Sequence, residues 1–150
     1  MALYYLETSS LVKLYVYEPG TERLLGLTAS DAGHRFSILT LALVEFRAAI
    51  RRRQRAGEIP AFAADEVIQS FHRHAEGRFL IQPFSDSVLD VALALLDGYA
   101  LKGYDAVQLA GYLVLRSISG TEEPVFVCAD KALLSAARNE GCPTLDPCSP

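Results

Sequence analysis

The chain has 150 residues, of which 51% are hydrophobic and 21% charged. That length suits one domain with a sizeable core, and the apolar content excludes a disordered chain. The net charge of −4, from 14 Lys and Arg against 18 Asp and Glu, excludes a basic field over the whole molecule and leaves only local basic patches for nucleic acid.

Lys13, Glu45 and Asp105 interrupt the apolar runs, so no membrane-spanning segment is expected. Met1–Leu6 has no basic stretch before its apolar residues, and Glu7 follows too early for a signal peptide, so a cytoplasmic protein is expected. Cys128, Cys142 and Cys148 lack zinc-pair spacing and are expected as free thiols.

Ala2–Leu6 is a short apolar strand ending at Glu7. Thr8, Ser9 and Ser10 offer capping oxygens to the helix that follows, which Glu18-Pro19-Gly20 stops. Thr21 begins another helix. Arg35–Leu39 is the second strand, with Thr40 as a cap and a helix ending in Arg51-Arg52-Arg53-Gln54-Arg55 before Gly57. Pro60 opens a helix toward Arg78, and Phe79–Gln82 is a third strand. Ser85–Lys102 is a long helix with Gly103 at its C-terminus. Tyr104–Ile118 is a helix apolar on nearly all sides, hence buried on more than one. Val125–Cys128 is a fourth strand. Asp130 caps the next helix, and Pro143–Leu145 is a short last strand. Strands alternating with helices predict a single α/β domain over residues 1–150. Its central sheet has four or five mostly parallel strands, with helices on both faces.

Ligands of an open α/β sheet bind outside the carboxyl ends of its strands. Glu7 and Asp130 stand at two such ends. Glu45 lies about a turn and a half into the helix after the second strand, and Asp105 begins an apolar helix. Separately, each acid has a structural explanation. Asp130 suits a helix cap, Asp105 faces a helix dipole, and Glu7 ends a strand. Glu45, among Leu41, Ala48 and Ala49, needs a partner, for which Arg52 is available. Together the four repel one another and stay ionised only if cations neutralise them. Oxygen-only donors suit Mg²⁺ or Mn²⁺ rather than zinc. Such an ion activates a water and steadies charge on a phosphoryl group.

Tyr5-Leu6-Glu7-Thr8-Ser9-Ser10-Leu11-Val12-Lys13-Leu14-Tyr15 resembles the opening motif of PIN domains, especially VapC-type toxins of type II toxin–antitoxin pairs. Ser37–Glu45 resembles the second motif, Tyr104–Ala110 the third, and Val125–Asp130 with Leu133, Ala136 and Ala137 the fourth. The resemblance spans nearly the whole chain. It implies a Rossmann-like PIN fold and Mg²⁺- or Mn²⁺-dependent endoribonuclease activity on structured RNA such as tRNA or rRNA. It also implies a homodimer and a small VapB-type antitoxin, often with an Arg meeting the acids. The implied catalytic residues are Glu7, Glu45, Asp105 and Asp130, with Glu7, Asp105 and Glu45 as metal ligands. Two positions depart from the pattern. The family's first acid is normally Asp, and Glu7 sets the carboxylate about 1.5 Å further out, one C–C bond length. Cys128 stands where Thr or Ser is common.

Thr8 and Ser9 read either as helix caps or as hydroxyls facing the scissile phosphate, and Ser37 as a strand-end hydroxyl by the same groove. Arg51, Arg52 and Arg53 read either as a solvated helix end or as phosphate contacts on RNA. An alternative is a PIN-like binding protein that keeps metal or antitoxin but cleaves poorly, which Glu7 favours. A receiver domain or haloacid-dehalogenase-like phosphatase would need an aspartyl acceptor where Glu7 stands, and no P-loop or GxGxxG occurs.

Overall fold

The computed structural model describes residues 1–149. Five parallel strands form one sheet: β1 (Leu3–Leu6), β2 (Arg35–Leu39), β3 (Leu80–Gln82), β4 (Val125–Val127) and β5 (Thr144–Leu145), in the order β3-β2-β1-β4-β5. The expected strands are all present, and the sheet is wholly parallel. The helices are α1 (Thr8–Lys13), α2 (Thr21–Thr28), α3 (Leu41–Arg55), α4 (Ala61–Arg78), α5 (Asp86–Gly98), α6 (Gly103–Ile118) and α7 (Lys131–Asn139). A short 3-10 turn at Ser30–Ala32 precedes β2.

The pleat of β1 divides the core in two, because successive side chains of a strand point to opposite faces. Tyr4 and Leu6 join Phe36, Ile38 and Val127 on one face, under α1, α2, α3 and α4. There Phe46 and Phe71 pack with ring centroids 4.2 Å apart. Tyr5 points the other way, with Leu39, Phe126 and Cys128, under α5, α6 and α7. Both faces of β1 are covered, so its residues read as one apolar run.

Three local expectations are corrected. The cap of α1 is Glu7, whose carboxylate accepts from the Ser9 amide, rather than Thr8, Ser9 or Ser10. Thr40 makes no side-chain cap; its hydroxyl accepts from Phe84 N–H at 3.0 Å and ties down the segment after β3. The helix begun at Ser85 ends at Gly98, four residues short, where Tyr99 turns extended, and Gly103 opens α6 instead of closing α5. Ser85 lies just before α5 and caps it, accepting from Val88 N–H.

Cys128 and Cys142 are buried and Cys148 exposed, all as free thiols. No helix among the described residues is long and apolar enough to cross a membrane.

Candidate active site

The chain runs from β1 outward to β2 and β3, then returns to the other side of β1 as β4. The strand order therefore switches between β1 and β4, where open α/β sheets place their ligands. A pocket of about 340 Å³ opens there, lined by Glu7, Glu45, Asp105 and Asp130 together with Thr8, Ser9, Lys13, Glu18, Arg52, Arg53, Lys102 and Tyr104. The four acids read from the sequence thus share one pocket. They come from the ends of β1 and β4, from α3 and from the first turn of α6.

Glu7 is 5% exposed. Its Oε2 accepts from the Ser9 amide at 2.9 Å and also from the Ser9 hydroxyl. Burial pushes its carboxyl up to about 7; the Ser9 hydrogen bonds oppose that rise and the nearby Glu45 adds to it. Glu45 is half-buried, and its carboxyl is also raised by burial, with Gln108 and Thr8 opposing and Asp105 adding. The Asp105 carboxyl is raised by burial and then by Asp130, against a lowering from Lys102. Each of these three carboxyls is thus raised in part by a neighbouring acid, as close carboxylates do to one another. Burial likewise pushes the Cys128 thiol up, and the adjacent Glu7 charge adds to the rise. Asp130 is the exposed member; it caps α7 by accepting from Leu133 N–H at 2.9 Å.

Neutral donors, rather than Arg52, satisfy Glu45. Gln108 Nε2 donates to Glu45 Oε1 at 2.6 Å, and the Thr8 hydroxyl donates to the same oxygen at 3.1 Å. The second amide hydrogen of Gln108 reaches Thr8 Oγ1 at 3.2 Å. Behind it, the Tyr5 hydroxyl donates to Gln108 Oε1 at 2.9 Å. Tyr5 and Gln108 are both fully buried. Burial and the two glutamates hold the Tyr5 hydroxyl well above its usual range, so it remains a donor. Sequence reasoning passed over this pair. Its signal was a glutamine one turn beyond Asp105 in an otherwise apolar helix.

The hydroxyls of Thr8 and Ser9 line the pocket but are spent on the acids; Ser9 Oγ also accepts from Ala129 N–H at 3.1 Å. Ser37 lies outside the pocket, buried in β2 and donating to the Leu80 carbonyl at 2.9 Å. The arginine tract divides. Arg51 turns to Asp65 of α4 at 2.8 Å, away from the pocket, whereas Arg52 and Arg53 line it. Arg53 and Lys13 both pair with Glu18, at 2.8 Å and 3.0 Å. Arg52 has no ion-pair partner among the described residues. The pocket is therefore lined by both acids and cations, two of the cations being paired with Glu18.

In chemical kind the donors fit a hard divalent cation, being carboxylate oxygens alone. In position, no group of three or more His, Cys, Asp or Glu among the described residues is placed to hold a metal ion. Glu7 is turned onto Ser9 and Asp130 onto its helix, which leaves Glu45 and Asp105 as neighbouring acids. Mg²⁺ commonly binds through one or two carboxylates and keeps several waters, so such a pair suits it.

No protein-family model matches the chain, and no curated protein matches it. Solved structures do. PAE2754 from Pyrobaculum aerophilum is 22% identical with a TM-score of 0.62, over 95% of this chain and 83% of that one. A toxin–antitoxin complex from Klebsiella pneumoniae is 17% identical with a TM-score of 0.62, over 98% of each chain. VapBC2 from Rickettsia felis, bound to a DNA fragment from their promoter, is 14% identical with a TM-score of 0.63, over 95% and 97%. These likenesses establish the architecture: the chain has the PIN-like α/β fold that its four motifs resemble.

Proposed function

We propose that this chain is the toxin of a type II toxin–antitoxin pair and a Mg²⁺- or Mn²⁺-dependent endoribonuclease acting in the cytoplasm on structured RNA of the tRNA or rRNA class. The observation that carries the reading is the meeting of Glu7, Glu45, Asp105 and Asp130 in one pocket at the β1/β4 switch point. The toxin–antitoxin proteins of the same fold support it.

Glu45 and Asp105 would hold the ion, with Glu7 joining them if its side chain leaves Ser9. When bound, the ion supplies an activated water and offsets charge on the phosphoryl group. Arg52 would meet a backbone phosphate directly. Lys13 and Arg53 would meet one only by sharing Glu18 or giving it up. Lys102, whose charge acts on Asp105, also lines the pocket. Asp130 would act from the exposed edge through water.

Two surfaces are available to the proposed partners. A VapB-type antitoxin carrying an Arg would enter the acidic pocket. A second copy of the chain would cover α5, where Leu89, Leu93 and Leu96 recur on one face, exposed, with Phe84 before them.

A second reading is favoured by the commitment of Glu7 to Ser9 and the lack of three converging donors: a PIN-like protein that binds its partner but cleaves poorly. RNA cleavage by purified, antitoxin-free protein in Mn²⁺, Mg²⁺ and EDTA separates the two, with Glu7→Asp and Asp105→Asn alongside. Metal-dependent cleavage that Asp105→Asn abolishes is the expected result. Silence in the parent with cleavage by Glu7→Asp would select the second reading. Silence in both, on tRNA and rRNA alike, would sink the nuclease.

A further inference from the structure

The carboxylate of Glu45 is held by a chain of buried groups that reaches across the core to a residue with no access to the pocket. Gln108 offers both amide hydrogens on the pocket side, one to Glu45 and one to Thr8, and its carbonyl oxygen on the core side, to the Tyr5 hydroxyl. This uses every hydrogen and the acceptor of the amide in one orientation. The reverse orientation would set the amide oxygen against the Glu45 carboxylate. Tyr5 is fixed in turn by its ring, which packs on Tyr112 and Phe126 with centroids 6.0 Å and 5.9 Å away.

Room for the Tyr5 hydroxyl comes from Gly111. A Cβ at that position would lie 2.5 Å from the hydroxyl oxygen and 3.2 Å from Leu39 Cδ1. Gly111 is helical and needs no left-handed backbone, so conformational freedom does not account for it. What the missing side chain provides is the space in which Tyr5 reaches Gln108, one turn earlier on the same helix.

We propose that Tyr5 and Gln108, with Gly111 providing the space, are positioning residues that fix the Glu45 carboxylate in a single orientation at the pocket. For what the positioned carboxylate does, the proposal rests on the metal-dependent reading above. The arrangement matters because a ligand carboxylate held by outer hydrogen bonds is pre-oriented for the ion, and losing such partners commonly costs 10–100-fold in metal affinity.

Tyr5→Phe is the decisive variant. It keeps the ring and deletes a hydroxyl that touches neither Glu45 nor the pocket. The readout is the side-chain carboxyl ¹³C resonance of Glu45 in metal-free, ¹³C-glutamate-labelled protein, assigned by its loss in Glu45→Gln. The resonance should move or broaden in Tyr5→Phe and in Gly111→Ala, while those of Glu22 and Glu66, outside the pocket, stay in place. An unmoved Glu45 resonance in folded Tyr5→Phe overturns the proposal. Should Gly111→Ala fail to fold, Tyr5→Phe alone decides it. Mn²⁺ affinity, measured by electron paramagnetic resonance, adds a second readout. Tyr5→Phe and Gln108→Leu should bind about tenfold more weakly than the parent. Equal affinity in parent and Tyr5→Phe would also overturn the positioning role. A parent that binds no Mn²⁺ would overturn the metal-dependent reading instead, and the resonance would still judge the relay.

Discussion

Ser9 donates twice to one oxygen of Glu7, from its backbone amide at 2.9 Å and from its hydroxyl. The first bond satisfies an otherwise orphaned amide of α1, so an acid at the pocket also starts a helix. The hydroxyl bond favours the ionised carboxylate. Ser9→Ala should therefore raise the Glu7 carboxyl above its present value of about 7 and lower stability by about 1 kcal/mol. Carbon-detected titration of Glu7 and urea denaturation check the two parts. A Glu7 titration unchanged in Ser9→Ala would show that the hydroxyl contributes nothing to its ionisation.

Stability of the metal-free protein should fall as pH rises from about 5 to 8. Glu7 titrates near 7 in the folded chain against 4.5 for an unperturbed glutamate. Between those values the folded state holds a proton that the unfolded state has released, so stability declines with rising pH. The difference is on the order of 3 kcal/mol when complete. Glu45 and Asp105 are raised as well and act with the same sign. Glu7→Gln should flatten most of the slope in denaturant midpoints taken at intervals across that range. Under the proposed function, Mn²⁺ should recover more stability at pH 8 than at pH 5.5.

The arginine tract should behave as separate residues. Arg52→Ala should reduce the slope of log K against log salt for single-stranded RNA binding by about 0.7, the loss of one phosphate contact. Arg51→Ala should leave the slope unchanged, because Arg51 pairs with Asp65 outside the pocket. Filter binding at several salt concentrations measures both. Equal effects of the two substitutions would remove the distinction.

A charge on the exposed face of α5 should separate two copies of the chain. Leu93 is 55% exposed at the middle of that face. Leu93→Glu buries no new charge in the monomer, so its melting temperature should change little. Light scattering should find half the parent's mass if α5 meets a second copy. An unchanged mass would place the dimer contact elsewhere or show the parent to be a monomer.

The strands and the four acids were legible because each depends on local pattern. Val125–Cys128, observed as Val125–Val127, and Arg35–Leu39 read as strands from short apolar runs, and Glu7 and Asp130 from their positions after strands. Side-chain direction was not legible in the same way. Nothing within Arg51-Arg52-Arg53 tells which guanidinium faces Asp65 of α4 and which faces the pocket. Thr40 resembles a cap by type, yet its hydroxyl is taken by Phe84, which lies 44 positions away. Gln108 escaped notice for the same reason, since its partners Tyr5 and Thr8 are 103 and 100 positions distant. Contacts at that separation are set by packing of the sheet and leave little trace in the neighbouring sequence.

The order of the strands also bears on when the pocket can exist. Its acids enter on β1, α3, α6 and the end of β4, and β4 seats against β1 only after more than a hundred intervening residues have been made. During synthesis from the N-terminus, the early strands can pair while Asp105 and Asp130 are still absent. A chain interrupted before β4 carries Glu7, Glu45 and Asp105 but lacks Asp130 and the strand that seats against the other edge of β1. Under the proposed function, full assembly of the site would thereby be tied to completion of the sheet, and a chain released from the ribosome before β4 should cleave RNA poorly.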